Sequence, residues 1–246
     1  MATEDDPRPI LDLLWNGIEP PRRGPRHRLT VRGVVDAATA VAEEEGLAAL
    51  SMRRVAAALG VGAATLYTYI PDKAALLALM VDTVIAEAPL PHTLPGTWRD
   101  KVAAWARADL AGYRAHPWLV DLMGTERPVG PGALAWTDSA LRVFGGTGLA
   151  DREALAVIGA VDGYVRGHAA RAVDADRTAR RVAPGGRAWS DAQLEYLADR
   201  APSGRFPAVE RLTEPGPGTE EVFEEGLSWL LDGVERRIAD GRSADR

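Results

Sequence analysis

Residues Ser51–Lys73 read SMRRVAAALGVGAATLYTYIPDK, and the fold of this stretch governs how the rest of the chain is understood. Gly60 and Gly62 begin what looks like a dinucleotide-binding loop, G-x-G-x-x-G. Thr65 occupies the third glycine position, however, and a helical rather than a strand pattern leads into the loop. The spacing instead predicts two short helices. Ser51 caps the first, whose apolar positions are Met52, Val55, Ala56 and Leu59, and Gly60 ends it. The second runs from about Ala63 to Ile70 and anchors through Val61, Leu66 and Ile70. Gly60-Val61-Gly62 is a turn of the length that joins a helix-turn-helix. Ala56 and Ala57 keep the first helix thin where the second crosses it. This leaves Ala63, Ala64, Tyr67 and Thr68 pointing away from the anchors. An ordinary exposed face would carry Glu, Lys or Gln. Small side chains and hydroxyls suit a groove of DNA, where methyls meet thymine methyls and hydroxyls meet phosphates.

Helical signals continue on both sides. Thr30 caps a helix with Val31, Val34, Val35, Ala38, Val41 and Ala42 on one face, and Gly46 stops it. Pro71-Asp72 starts another, with Leu77, Met80, Val81 and Val84 aligned. Residues 1–29 are rich in proline and arginine apart from an apolar island, ILDLLW, long enough for one or two helical turns. After APLPHTLPG, Thr97 caps a helix bearing Trp98, Val102 and Trp105. Further helices are expected over 132–144, 151–173 and 219–239, the last with a stripe of Phe223, Leu227, Leu230, Leu231, Val234 and Ile238. The weak pattern over 174–218 predicts a partly mobile loop with a short helix near 191–199. The expected fold is all-α. A flexible extension (1–27) precedes a three-helix DNA-binding domain with a helix-turn-helix (28–75) and a larger helical ligand-binding and dimerisation domain (76–240).

Composition narrows the function classes. The absence of cysteine in 246 residues removes disulfides, thiolate metal sites and thiol nucleophiles. No segment approaches the roughly 18 uninterrupted apolar residues of a membrane span, and the acidic N-terminus does not resemble a secretory signal, so a cytoplasmic protein is expected. The net charge is −6, yet residues 20–73 hold eight Arg/Lys against five Asp/Glu. A basic end on an acidic body suits a protein that meets a polyanion at one end only. A solvated basic linker would leave the same charge pattern.

Over about residues 28–85 the chain resembles the TetR family of bacterial transcriptional regulators, most specifically through the pattern LGV…TLY.Y…K..LL. GTWRDKVAAWARADLAGYRAHPW, GTERP and FEEGLSWLLDGV resemble the effector-binding body of its tetracycline-repressor branch. The resemblance gives Ser51, Thr65, Tyr67, Tyr69 and Lys73 phosphate roles, and sets Arg53, Ala63, Ala64 and Thr68 against base edges. Arg53 alone of these four can make a bidentate guanine contact, worth about 1–3 kcal/mol. The arginines at 22–28 read equally as an arm on the DNA or as a free tail. A double-stranded operator, a small-molecule effector and a second copy of the chain are the implied partners; no cofactor and no metal are implied. The metal-coordinating histidine of the tetracycline branch is absent upstream of Arg127-Pro128, so a magnesium–tetracycline complex is not the expected inducer.

Candidate effector-lining residues are Trp105, Tyr113, His116, Trp118, Arg127 and Trp136. Gly159, Gly163 and Gly167 recur every four residues on one helix, each costing about 0.5–1 kcal/mol relative to alanine. Close helix–helix approach is the compensating gain. Together with Phe223, Leu227, Leu230 and Val234 they predict a dimer seam of two helices from each subunit. Such a dimer would hold its reading helices about 34–36 Å apart, or a multiple of that, on a near-palindromic operator. An enzyme is the first rival reading, but no G-x-S-x-G or H-E-x-x-H occurs and the four histidines are scattered. A helical ligand-binding or interaction protein without operator binding is the second.

Overall fold

Side-chain caps and glycine stops set the element boundaries of the N-terminal half. The computed structural model describes residues 6–17, 29–122, 128–181, 192, 195–197, 200, 204–210 and 218–244, and every regular element among them is helical. Helix α1 is Arg8–Asn16 and α2 is Val31–Glu45, the latter capped by Thr30, whose hydroxyl accepts from the Gly33 amide at 3.0 Å. Helix α3 (Met52–Ala58) is capped by Ser51, and α4 is Ala63–Tyr67. Between them Gly60 takes φ +67°, the Val61 amide reaches back to Ala56 O at 3.0 Å and the Gly60 amide to Ala57 O at 3.2 Å. That pair of bonds is a Schellman close, which needs the left-handed residue glycine supplies. Asp72 caps α5 (Lys73–Glu87), accepting from Ala75 N at 2.8 Å.

A short 3₁₀ turn (Pro91–Thr93) leads to α6 (Trp98–Ala115), which opens with a reciprocal Thr97–Asp100 capping box. A second 3₁₀ segment, Pro117–Leu122, precedes α7 (Pro131–Val143). Helix α8 runs Asp151–Arg181, eight residues beyond the expected end, followed by a short α9 (Pro207–Glu210) and by α10 (Thr219–Ala244). Residues 195–197 are helical, within the short helix expected near 191–199.

Two apolar cores result. The first gathers α2, α3, α4 and the buried face of α5, including Val34, Val35, Ala38, Val55, Leu66, Ile70, Leu76 and Met80. The second joins α6, α7, α8 and α10 through Val102, Trp105, Phe144, Val161, Val165, Phe223 and Leu227. Helix α5 belongs to the first core and also packs along α7. The expected boundary at residue 75 therefore falls inside a helix that both units share.

One expectation is corrected. The stretch 1–27 is not a free extension throughout: α1 forms from the ILDLLW island, buries Leu13 and Leu14 in the first core, and packs on α5. Its apolar side chains find a groove beside α5 that a proline- and arginine-rich flank does not advertise. Residues 18–28, including the arginines of the expected arm, lie outside the described residues. Lys73–Thr93 is long and apolar enough by length and composition to cross a membrane, although it holds no uninterrupted apolar run of the expected kind. It carries Lys73, Asp82 and Glu87, and Ala75, Leu76, Ala78, Leu79 and Met80 are buried in the first core.

Candidate nucleic-acid interface and effector body

Leu66 and Ile70 are fully buried, which fixes the roll of α4 on α3. Ala64, Thr65, Tyr67 and Thr68 are consequently exposed, Tyr67 at 50%. The Thr68 hydroxyl donates to Thr65 O at 2.7 Å. Ala63 and Tyr69 are half-buried and pack on the first core, so neither projects as freely as the helical spacing suggested. Ser51 is exposed, its hydroxyl accepting from the Arg54 amide at 3.2 Å. Lys73 Nζ donates to Leu50 O at 2.7 Å, tying the start of α5 to the residue before the α3 cap. An ammonium has three donors, so this bond still leaves two for a phosphate.

Ion pairing sorts the charges on this surface. Arg54 is clamped by the Glu45 carboxylate, with Nε at 2.9 and 3.1 Å and a further bond from Nη2. That pairing lowers the pKa of Glu45 and raises that of Arg54. Arg32 pairs with Asp36 at 2.7 Å and with Glu87 at 2.5 Å. Glu43 bonds His116 Nδ1 at 2.7 Å. Four acids that would repel a phosphate backbone thus have partners. Arg53, next to the clamped Arg54, is exposed and makes no ion pair among the described residues. Exposed ion pairs of this kind contribute little stability; their effect here is on which cations stay available.

The predicted effector-lining residues do not converge on one cavity. Trp105 is 2% exposed and sits edge-on to Trp136 (5.7 Å, 71°) and Phe144 (6.3 Å, 82°) in the second core. Tyr113 and Trp136 are half-buried against the same core. Trp118 and His116 are corrections. Trp118 is buried in the first core, and its indole N–H has no partner among the described residues. His116 reaches across to α2, because the Pro117 break turns the chain back toward the DNA-binding unit. Arg127 lies outside the described residues. On the far side of the same 3₁₀ segment, Asp121 makes a two-pronged pair with Arg177 of α8 at 2.8 Å.

Sequence reasoning missed Asp109, a carboxylate on α6 set one turn beyond Trp105. Burial, then the neighbouring Asp162, push its pKa up to about 7, while Arg166 pulls the other way. The available signal was an aspartate one turn after a core tryptophan and one turn before Tyr113. Also missed was the ring cluster of Tyr164, His168 and Phe223 between α8 and α10, whose centroids lie 4.6–5.5 Å apart. The Tyr164 hydroxyl donates toward Val222 O and Phe223 O at 3.0 and 2.8 Å. Burial lowers the pKa of His168, and the Arg171 charge adds to that.

The predicted seam residues divide. Gly159, Gly163 and Gly167 are exposed, and a methyl added at any of them would meet nothing within 4 Å. Leu155 beside them is 49% exposed, and Trp229 on α10 is 64% exposed. Phe223, Leu227 and Val234 are corrections: they are 2%, 1% and 9% exposed, turned into the subunit's own core, and Leu230 is half-buried against it. Helical spacing identifies a stripe that must be covered, but α6 and α8 of the same chain cover this one.

Comparison with known proteins completes the picture. Residues 34–80 match the family described as bacterial regulatory proteins, tetR family, and residues 90–238 match the tetracyclin repressor-like C-terminal domain. The chain is 39% identical over 234 residues to the HTH-type transcriptional repressor DrrR1 of Streptomyces coeruleorubidus, covering 94% of this chain and 87% of that one. It is 30% identical over 211 residues to an HTH-type transcriptional regulator of Saccharopolyspora erythraea, covering 84% of each. The fold is similar to apo ActR of Streptomyces coelicolor, with a TM-score of 0.72 at 27% identity over 88% of this chain and 98% of that one. For ActR in complex with actinorhodin the TM-score is 0.73, also at 27% identity, over 85% of this chain and 96% of that one. The matched DNA-binding segment contains the exposed row on α4, the matched C-terminal segment spans the second core, and the chain belongs to the TetR family of bacterial transcriptional regulators.

Proposed function

We propose that this regulator is a cytoplasmic homodimeric repressor that sits on a near-palindromic operator and is released from it by a small molecule. The observation that carries the reading is the exposed row Ala64, Thr65, Tyr67 and Thr68 on α4, flanked by Arg53 and Lys73 and held by buried Leu66 and Ile70. In this reading Ser51, Thr65, Tyr67 and Lys73 meet phosphates, with Tyr69 contributing from its half-buried position. Arg53, Ala64 and Thr68 face base edges, with Ala63 at the margin. With alanines at reading positions, direct readout discriminates modestly. The repressor sense is supported by the relative DrrR1, named a repressor, and the effector by ActR, whose structures include complexes with (S)-DNPA and actinorhodin. The effector of this chain would enter the helical body between α6, α7 and α8, near Trp136 and Tyr113. The glycine face of α8 with Trp229 of α10 would form the dimer seam. Helix α5, which belongs to the first core and packs along α7, would carry the change to the reading helices, whose separation then no longer fits two grooves.

A mobility-shift assay with the DNA immediately upstream of the coding region tests this at rising salt. Binding should weaken steeply, because each phosphate contact releases counterions. Lys73→Ala should weaken binding to all sequences alike, and Arg53→Ala should relax base preference by about 1–3 kcal/mol at one position. Wild-type binding by both variants would remove the assignment of this surface.

A further inference from the structure

Helix α1 lies outside both matched segments, which begin at residues 34 and 90, yet it is built into the junction between the two units. Leu13 and Leu14 are 6% and 8% exposed in the first core, and Ile10 packs beside them, so α1 grips α5 from outside. One residue further on, Trp15 Nε1 donates to Val129 O at 3.1 Å, two residues before α7 begins. The same end of α7 is held by α5 itself. Asp82 accepts from the amides of Gly132 and Ala133 at 3.1 and 2.9 Å, standing in for the N-cap side chain that Gly130 lacks. Contact there is close: a methyl on Gly132 would lie 2.5 Å from the Asp82 carbonyl oxygen. One helix therefore holds α5 by apolar side chains and the start of α7 by an indole N–H.

We infer that α1 is a brace, a positioning element that fixes the angle between α5 and the N-terminal end of α7 and so the orientation of the reading head on the body. Helix α5 is the rod from which the head hangs, since Lys73 at its start bonds Leu50 O beside the α3 cap. Any tilt of α5 against α7 is carried to α3 and α4. Asp82 already pins α5 to the first turn of α7, and α1 adds its apolar grip on α5 from outside that pair. The Trp15 bond to the carbonyl of Val129, the residue just before the α7 cap, adds a second fixed point, on the other helix. The brace concerns geometry within one subunit and does not depend on the operator reading.

The chain has no cysteine, so spin labels can be placed at Glu44→Cys on α2 and Ala135→Cys on α7, both exposed. The labelled protein is diluted with unlabelled protein, so that distances within one subunit are read. Deleting residues 1–17 should broaden or shift the α2–α7 distance distribution and change operator affinity about 3- to 10-fold. Trp15→Phe keeps the ring and removes the donor. It should move the distribution in the same direction by less, with an unchanged thermal midpoint. If the deletion variant does not fold, Trp15→Phe alone decides. A distance distribution indistinguishable from wild type in Trp15→Phe, or in a folded deletion variant, overturns the brace. A changed distribution with unchanged DNA binding supports the brace and counts against the operator reading instead.

Discussion

The reading head and the effector body are both helical, yet they reach stability by different routes. In the head, α2, α3 and α5 are closed by local chemistry, with Thr30, Ser51 and Asp72 as caps and Gly46 and Gly60 as stops. Its acids are paired at the surface, Glu45 with Arg54 and Asp36 with Arg32. In the body, helices of 31 and 26 residues run past any local stop, and their packing partners are more than a hundred residues away in sequence for contacts such as Arg107–Glu224 and Arg99–Asp232. The body also retains a half-buried carboxylate, Asp109, whose pKa is raised. Short capped elements tolerate little error in register, whereas long stripes leave open which neighbour covers them.

The sharpest test of that contrast sets Phe223 against Trp229. Phe223→Ala should cost the subunit about 3–5 kcal/mol, read as a denaturation midpoint shift that does not depend on protein concentration. Trp229→Ala should leave subunit stability within about 0.5 kcal/mol while weakening the dimer in sedimentation. The reverse pattern would return the α10 stripe to the partner seam. Next in size is Asp109. A carboxyl whose folded pKa is raised to about 7 contributes stability that is complete below its unfolded pKa near 4 and is lost as pH rises through 7. Asp109→Asn should therefore stabilise the protein by about 1–4 kcal/mol at pH 8 and little at pH 4, flattening the profile between. An unaltered pH profile would mean the carboxyl is hydrated. The smallest effects compare glycines. Gly132→Ala should destabilise by about 1–3 kcal/mol through overpacking against Asp82. Gly163→Ala should stabilise an isolated subunit by about 0.5–1 kcal/mol, so any loss in the dimer reports close approach across the seam.

How far the sequence could be read follows the same division. The capped helices and the Gly60 turn were legible because caps, stops and apolar spacing lie within a few residues of each other. The α4 row was legible in outline, although Ala63 and Tyr69 are half-buried because α4 is only one and a half turns long and packs close to its ends. The body was legible as helices but not as sites. Trp118 reads as a pocket aromatic and is core of the other unit; His116 reads the same way and bonds Glu43. Neither role can be inferred from spacing, since both depend on how the Pro117 break redirects the chain toward α2.

By itself the amino-acid sequence determined the helical class, the two-helix reading unit with its tight glycine turn, and the basic end on an acidic chain. Each rests on local propensity, capping or charge count, quantities that do not depend on distant residues. Only the tertiary structure decided that α5, part of the first core, packs along α7, that α1 docks beside that contact, and that the α10 stripe closes its own subunit. It also decided that Asp109 sits half-buried near Asp162 and Arg166. These are outcomes of competition among apolar faces for a limited set of neighbours, and that competition is settled by packing between segments remote in sequence.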